Sequence, residues 1–137
     1  MKELWLVSAC LLGDDCKYNG GNNFSEKVVD FLRDKDYIRV CPEVAGGLPT
    51  PRVPCERQGF LIVDKHGEDK TSEFTKGAEA CMKIGATHAL LKARSPSCGK
   101  GLIYDGSFSG SLTEGNGVFA ELCIRQGLVV LSEEDLP

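Results

Sequence analysis

Short apolar segments alternate along the chain with segments that carry apolar residues on one helical face. Runs of this length are typical of strands buried on both faces, as in a parallel sheet covered by helices. The alternation therefore predicts an α/β fold: a three-layer sandwich with a mainly parallel sheet, Rossmann-like or flavodoxin-like. The predicted strands are LWLVSA (4–9), YIRV (37–40), GFLIV (59–63), THALLKA (87–93) and LVVLS (128–132).

The predicted helices lie between these strands. Ser25 is expected to cap the helix EKVVDFLRDK, Thr71 or Ser72 to cap the next, and GVFAELCIRQ forms the last. Residues 41–57 are rich in Pro and Gly and predict an ordered loop. The chain has 137 residues, an ordinary apolar fraction of 42% and no linker or repeat, which predicts one domain over residues 1–137.

Charge and hydropathy exclude several classes of partner. Sixteen basic and 20 acidic residues are mixed along the chain, and no basic stripe appears, so a nucleic acid is not expected as partner. The apolar runs are too short to span a membrane. The N-terminal run MKELWLVSACLLG is interrupted by Glu3 and predicts a first strand rather than a signal peptide, which favours the cytoplasm. A monomer and a homodimer are both compatible with the sequence.

Seven cysteines are many for a chain of this length, and their number is odd. In a cytoplasmic protein this disfavours a disulfide framework. Cys81 and Cys123 fall at apolar positions of predicted helices and are expected to be buried thiols that pack like small hydrophobes. Cys55 lies in the predicted loop, where either a structural or a functional role is open.

Cys10, Cys41 and Cys98 differ because each follows a predicted strand. The carboxyl ends of parallel strands meet at one edge of a sheet, where ligands bind, so these three thiols are expected to share a site. Three unrelated loop cysteines are the alternative. Cys16, six residues after Cys10, is either a loop thiol near this site or a direct participant.

The spacing of these cysteines disfavours a structural zinc site. Such a site normally has four ligands with paired spacings such as C-x2-C, which this chain lacks, and His66 and His88 lie in unrelated contexts. Thiolates from separated loops suit an iron–sulfur cluster better. With only three protein ligands, one iron of a four-iron cluster stays open and can take an exogenous sulfur or oxygen atom.

Four motifs carry a resemblance to a known family: SACLLGDDCKYNGG, CPEVAGGLPTPRVPCE, KARSPSCGKGLIYDGSFSG and GVFAELCIRQGLVVLSEE. They resemble the domain-of-unknown-function 523 family, which includes the bacterial thiouracil desulfurases, and the spacing is intact over nearly the whole chain. The resemblance implies a [4Fe-4S] cluster held by Cys10, Cys41 and Cys98, with Cys16 as a rival third ligand. It also implies an enzyme of hydrolase or lyase type, without redox chemistry. The open iron captures the sulfur of a small thiolated heterocycle, thiouracil or a thiolated nucleobase, and water replaces that sulfur on the carbon.

The same resemblance suggests Glu43 and Ser97 as catalytic residues. Glu43 lies two residues beyond Cys41, where its carboxylate can act as general base for water or relay a proton to the substrate ring. Ser97 precedes Cys98 and can position water or hydrogen-bond the substrate carbonyl, and Ser95 is a weaker candidate.

Other residues of the motifs adjust this picture. Arg52, between two prolines, is expected to pair with Glu43 or Glu56. Tyr104 and Asp105, in IYDG, either bound the pocket or make a turn with Gly106. Two positions depart from the family pattern: YNGG, with Asn19, stands where YDG is expected, and Cys55 stands where a small apolar residue is expected.

Two other functions remain open at this level. One is a non-catalytic carrier of an iron–sulfur cluster, a metal or sulfide, with the same ligands and no hydrolysis. The other is a thiol-redox protein that uses Cys10 and Cys16, although their C-x5-C spacing is not a strong redox signature.

Overall fold

A four-stranded parallel sheet forms the centre of the computed structural model, which describes residues 3–136; Met1, Lys2 and Pro137 lie outside the described residues, including the first two residues of the N-terminal run. Its strands lie in the order β2 (Tyr37–Val40), β1 (Trp5–Ser8), β5 (His88–Leu91) and β8 (Val129–Ser132), and all three pairings are parallel. In chain order the strands and α-helices are β1 (Trp5–Ser8), α1 (Glu26–Leu32), β2 (Tyr37–Val40), α2 (Pro42–Ala45), β3 (Cys55–Gln58), β4 (Leu61–Asp64), α3 (Thr71–Met82), β5 (His88–Leu91), β6 (Leu102–Tyr104), β7 (Leu112–Glu114), α4 (Val118–Arg125) and β8 (Val129–Ser132).

Side chains of the central strands alternate between two core layers. Leu6 and Ala89 pack in one core with α3 and α4 residues such as Ala78 and Phe119. Val7 and Leu90 pack in the other core, which includes α1 residues. A sheet with helices on both faces is the predicted three-layer arrangement, so the predicted α/β class and the parallel central sheet are confirmed.

Two antiparallel hairpins complete the chain outside this sheet. One pairs β3 with β4 and the other pairs β6 with β7. Because these hairpins are short and separate from the parallel sheet, they can form walls of a site at its edge. In the part of the chain that the structure describes, no helix has the length and apolar character needed to cross a membrane.

Two local predictions are corrected. Residues 41–57 are not only a loop, since α2 and β3 lie within them. Pro42 occupies the first position of α2, which its fixed φ favours. Thr71 does not cap α3: it is the first helical residue, and its hydroxyl accepts a hydrogen bond from the Ile62 amide at 2.8 Å. The predicted cap at Ser25 is present, with its hydroxyl accepting from the Val28 amide at 3.3 Å.

Candidate functional site

A cavity of about 500 Å³ lies where the central strands end. Its lining combines residues that directly follow β1, β2 and β5, so it occupies the carboxyl edge of the sheet. All seven cysteines belong to the described part of the chain, and five of them line this cavity: Cys10, Cys16, Cys41, Cys55 and Cys98. The structure thus brings together the three strand-end thiols and adds two from neighbouring loops.

Cys10 is held in a short 3-10 helix, Ala9–Leu12, that continues directly from β1. Its carbonyl accepts from the Asn23 amide at 3.0 Å, and the Asn23 side chain donates to the Cys10 sulfur at 3.4 Å. Burial raises the pKa of the Cys10 thiol, and the hydrogen bond from Asn23 partly offsets that effect because it favours the thiolate.

Cys41 is fixed by the packing of α2 on α3. The two helices touch through backbone: a β-carbon on Gly46 would lie 2.0 Å from the Glu73 carbonyl oxygen, and one on Gly77 would lie 1.7 Å from that of Pro42. Only glycine permits this approach. The close contact sets where α2 begins, and therefore where Cys41 and Glu43 meet the cavity.

The Cys16 and Cys41 thiols interact directly. A hydrogen bond from Cys16 lowers the pKa of Cys41 to about 6, and the same contact raises that of Cys16. This contact favours the thiolate on Cys41 over that on Cys16, and Cys41 Sγ also lies 4.0 Å from the Cys16 carbonyl oxygen. The Cys16 carbonyl is itself anchored, since Arg52 Nη2 donates to it at 2.8 Å.

Cys98 is buried in the loop that follows β5. Its amide donates to Ser95 Oγ at 3.1 Å, and burial raises the pKa of its thiol. A β-carbon on Gly99 would lie 2.7 Å from the Ser95 carbonyl oxygen, so the chain leaves Cys98 along a path open only to glycine.

The first turn of α4 holds this loop in place. The amides of Val118 and Phe119 donate to the carbonyls of Pro96 and Ser97 at 2.9 and 2.7 Å. The first amides of a helix have no partner within it, so the loop satisfies α4 while α4 orders the loop. Cys98 is therefore positioned by a helix distant in sequence.

A hydrogen-bonded chain of three side chains crosses the cavity wall. Arg52 Nε donates to Glu43 Oε1 at 3.1 Å, and Ser97 Oγ donates to Glu43 Oε2, also at 3.1 Å. The Arg52 and Glu43 side chains are only 6% and 14% exposed, which strengthens their ion pair. The predicted Arg52–Glu43 pair is present, and both carboxylate oxygens are directed by named donors. Ser95 Oγ lies 3.1 Å from Ser97 Oγ and extends the chain.

The β6–β7 hairpin forms a further part of the wall. Tyr104 and Phe108 line the cavity, and so does Glu56 of β3. Glu56 does not pair with Arg52: its Oε1 accepts from the amides of Gly106 and Phe108 at 3.0 and 3.1 Å. Tyr104 is therefore at the pocket as the motif IYDG suggested, Asp105 is not among the lining residues, and Phe108 was not singled out from the sequence.

The donor set favours a polynuclear cluster over a single ion. Among residues 3–136, no group of three or more His, Cys, Asp or Glu side chains is arranged to hold one metal ion. Zinc–sulfur bonds are only about 2.3 Å long, so thiolates around one zinc must nearly converge. Thiols spread around a common cavity instead suit an iron–sulfur cluster, which is held by Cys thiolates and separates them by its own width.

The remaining candidates lie away from the cavity. Cys81 and Cys123 are buried in the core between the sheet and α3 and α4, as predicted. His88 stacks on Trp5 with ring centroids 4.6 Å apart, and His66 lies in the turn after β4. Neither histidine is among the residues that line the cavity.

An α/β domain with a thiol-lined cavity at the carboxyl edge of its sheet and a directed carboxylate beside it defines a metallocluster-binding class of protein. The chain belongs to the 2-thiouracil desulfurase family, whose model matches residues 5–135. This confirms the family expected from the motifs.

Two relatives extend this result. The uncharacterized protein YbbK of Bacillus subtilis (strain 168) is 41% identical over 145 aligned positions, which cover 96% of each chain. A solved structure, the [4Fe-4S]-dependent thiouracil desulfidase TudS, is 46% identical and superposes with a TM-score of 0.90 over 99% of this chain and 94% of that one. The aligned region covers the whole α/β sandwich of this chain.

Proposed function

We propose that the protein is a [4Fe-4S]-dependent desulfurase that converts thiouracil and water into uracil and hydrogen sulfide. The carrying observation is the cavity in which Cys10, Cys41 and Cys98 surround a site beside the directed carboxylate of Glu43. Membership of the 2-thiouracil desulfurase family and the similarity to TudS support the same activity and the same cofactor. This agrees with the function expected from the sequence.

Cys10, Cys41 and Cys98 are the proposed cluster ligands. Each is anchored by backbone contacts at the end of a central strand or in the loop that follows it, whereas Cys16 lies in the polar loop after the 3-10 helix and donates to Cys41. Cys16 is therefore assigned a supporting role. When bound, a cluster with three protein ligands supplies one iron that acts as a Lewis acid toward the substrate sulfur.

Glu43 is the proposed general base. Its Oε1 is held by Arg52, so Oε2 can take a proton from the water that attacks the thiocarbonyl carbon. Ser97 Oγ donates a hydrogen bond to that same oxygen and so orients the carboxylate, while its own oxygen can accept a hydrogen bond from the substrate. The carbon–sulfur bond breaks, a carbon–oxygen bond forms, and no electrons are gained or lost overall. No external reductant is needed.

The decisive experiment uses the full chain, purified and reconstituted without oxygen. We expect about four iron atoms per chain, a brown chromophore, and release of sulfide and uracil from 2-thiouracil. Glu43→Gln should keep the iron and the visible spectrum while kcat falls about 100-fold or more, because an amide cannot take the proton.

The outcomes separate the possible functions. A colourless protein without iron or inorganic sulfide after reconstitution contradicts the proposal. Iron binding without turnover, unaffected by the Glu43 substitution, would instead indicate a carrier. A cytoplasmic location, where thiols stay reduced, and a single domain over the whole chain stay predictions that accompany this function.

A further inference from the structure

The loop between β6 and β7, residues 105–111, contributes an aromatic ring to the cavity. Phe108 lies at its middle, half-buried, and lines the cavity that the cysteines share. Tyr104, at the end of β6, lines the same cavity. Neither aromatic ring has a part in the proton transfer or the cluster binding proposed above.

The backbone of this loop is held in a fixed shape. Gln58 Nε2 donates to the Gly106 carbonyl at 2.8 Å, on top of the two amides that Glu56 accepts. A β-carbon on Gly106 would lie 2.4 Å from Gln58 Cγ, so the loop is pressed against β3. Glu56 Oε1 accepts from the Gly106 and Phe108 amides, on both sides of Ser107. These two hydrogen bonds fix the backbone at Phe108 and so the direction of its side chain.

Phe108 adopts a backbone conformation that its side chain disfavours. Its φ of 57° lies in the left-handed region, which Gly106 and Gly110 also adopt at 92° and 82°. A glycine would take this conformation without strain, whereas a residue with a β-carbon does so at a cost. Strain of this kind persists only where surrounding contacts impose it, and it concentrates at ligand-binding sites.

We propose that Phe108 is a specificity-determining residue whose ring packs against the planar ring of the thiopyrimidine, and that Glu56 is the residue that positions it. The inference rests on the proposed function, because that function supplies a substrate with an aromatic face. Stacking on an aromatic side chain uses the face of the pyrimidine ring and does not depend on the substituents at its edge. The thiocarbonyl group at that edge therefore stays free to point toward the thiols.

The test uses the reconstituted protein and two measurements. Calorimetry gives the Kd of uracil, which needs no turnover, and sulfide release gives kcat and KM for 2-thiouracil. Phe108→Ala should raise both Kd and KM about ten-fold or more while kcat changes less, and Phe108→Tyr should restore both. Thioacetamide, a thioamide without a ring, should be turned over with unchanged kcat/KM by Phe108→Ala.

Glu56 and a distant phenylalanine complete the series. Glu56→Ala should act in the same direction as Phe108→Ala, and Glu56→Gln should rescue it because an amide oxygen still accepts both N–H groups. Phe60, 92% exposed at the turn between β3 and β4 and absent from the cavity lining, is the matched control, and Phe60→Ala should leave both constants unchanged.

The results distinguish this inference from the proposed function. A Phe108→Ala variant that binds uracil as tightly as the wild type, or that loses thioacetamide turnover equally, overturns the stacking role while leaving the function intact. A wild type that binds uracil but releases no sulfide, with binding weakened by Phe108→Ala, overturns the function and supports the stacking role. A wild type that binds no pyrimidine overturns both.

Discussion

At the scale of single residues, the cavity shows how environment separates chemically identical thiols. Burial raises the pKa of Cys10 and Cys98, whereas the hydrogen bond from Cys16 lowers that of Cys41. Ligation by iron requires thiolates, so each buried thiol must release its proton when the cluster binds. Cys41 is the ligand candidate that its surroundings prepare best.

Substitution of the Cys16–Cys41 pair tests which member is a ligand. Cys41→Ser should abolish cluster binding, because it removes a thiolate that bonds to iron. Cys16→Ser should retain most of the iron, since a hydroxyl can still donate to Cys41, and Cys16→Ala should weaken cluster affinity about ten-fold through loss of that donor. Iron and sulfide content after anaerobic reconstitution measure all three.

The opposite order of effects would exchange the two roles. If Cys16→Ser lost the cluster while Cys41→Ser kept it, Cys16 would be the third ligand. If both variants lost the cluster equally, both thiols would be required for cluster binding.

At the scale of elements, the short helix α2 and the loop before α4 set the positions of the proposed ligands and catalytic residues. α2 has four residues and is held by its backbone contact with α3 at Gly46 and Gly77. α4 orders the Cys98 loop through its first amides. The Pro/Gly-rich composition of residues 41–57 suggested a loop because a helix of one turn has no periodicity to detect. Gly46 is the residue in this segment that permits the contact, but the α3 backbone on which it packs lies about thirty residues away and cannot be recognised from the local sequence.

Gly77→Ala tests this contact with a clear sign. Alanine favours a helix over glycine by about 1 kcal/mol, so an isolated helix would gain stability. Here the added methyl group would meet the Pro42 carbonyl, and overpacking against backbone costs about 1–3 kcal/mol. We expect a net loss in the free energy of unfolding, measured in urea on the apo protein, together with reduced iron incorporation.

Thr75→Ala is the matched control because Thr75 is exposed on the same helix. It should keep or slightly raise the free energy of unfolding and leave iron content unchanged. A Gly77→Ala variant as stable as Thr75→Ala would show that α2 can move away from α3 without cost.

At the scale of the whole molecule, the proposed ligands tie distant parts of the chain together. Cys41 follows β2, Cys10 follows β1 and Cys98 follows β5, and these three strands are adjacent in the sheet. Nearly ninety residues separate Cys10 from Cys98 in the sequence. A cluster bound to all three cross-links the central sheet at one edge. Because the unfolded chain cannot present this site, cluster binding stabilises the folded state.

Removal of the cluster should therefore lower the melting temperature. We expect the reconstituted protein to melt about 5 °C or more above the apo protein in anaerobic calorimetry. Cys98→Ser, which lacks one ligand, should show no such gain when treated identically. Equal melting temperatures for loaded and apo wild type would mean that the cluster does not bridge the three strands.

The amino-acid sequence by itself determined the α/β class, the parallel strands and the cysteines at their ends. These features depend on local patterns: apolar runs, helical periodicity, and the residue that follows each strand. The shared edge of a parallel sheet then follows from topology, so the sequence predicts that Cys10, Cys41 and Cys98 lie close together.

Only the tertiary structure decided the relations between residues far apart in sequence. The paths of the loops decide that Arg52 pairs with Glu43 rather than Glu56. They also decide that Cys16 contacts Cys41 and that Phe108 reaches the cavity. Those paths are set by backbone contacts and hydrogen bonds between segments that no local pattern links. The sequence therefore identifies which chemical groups take part in the site, and long-range packing determines which of them contact one another.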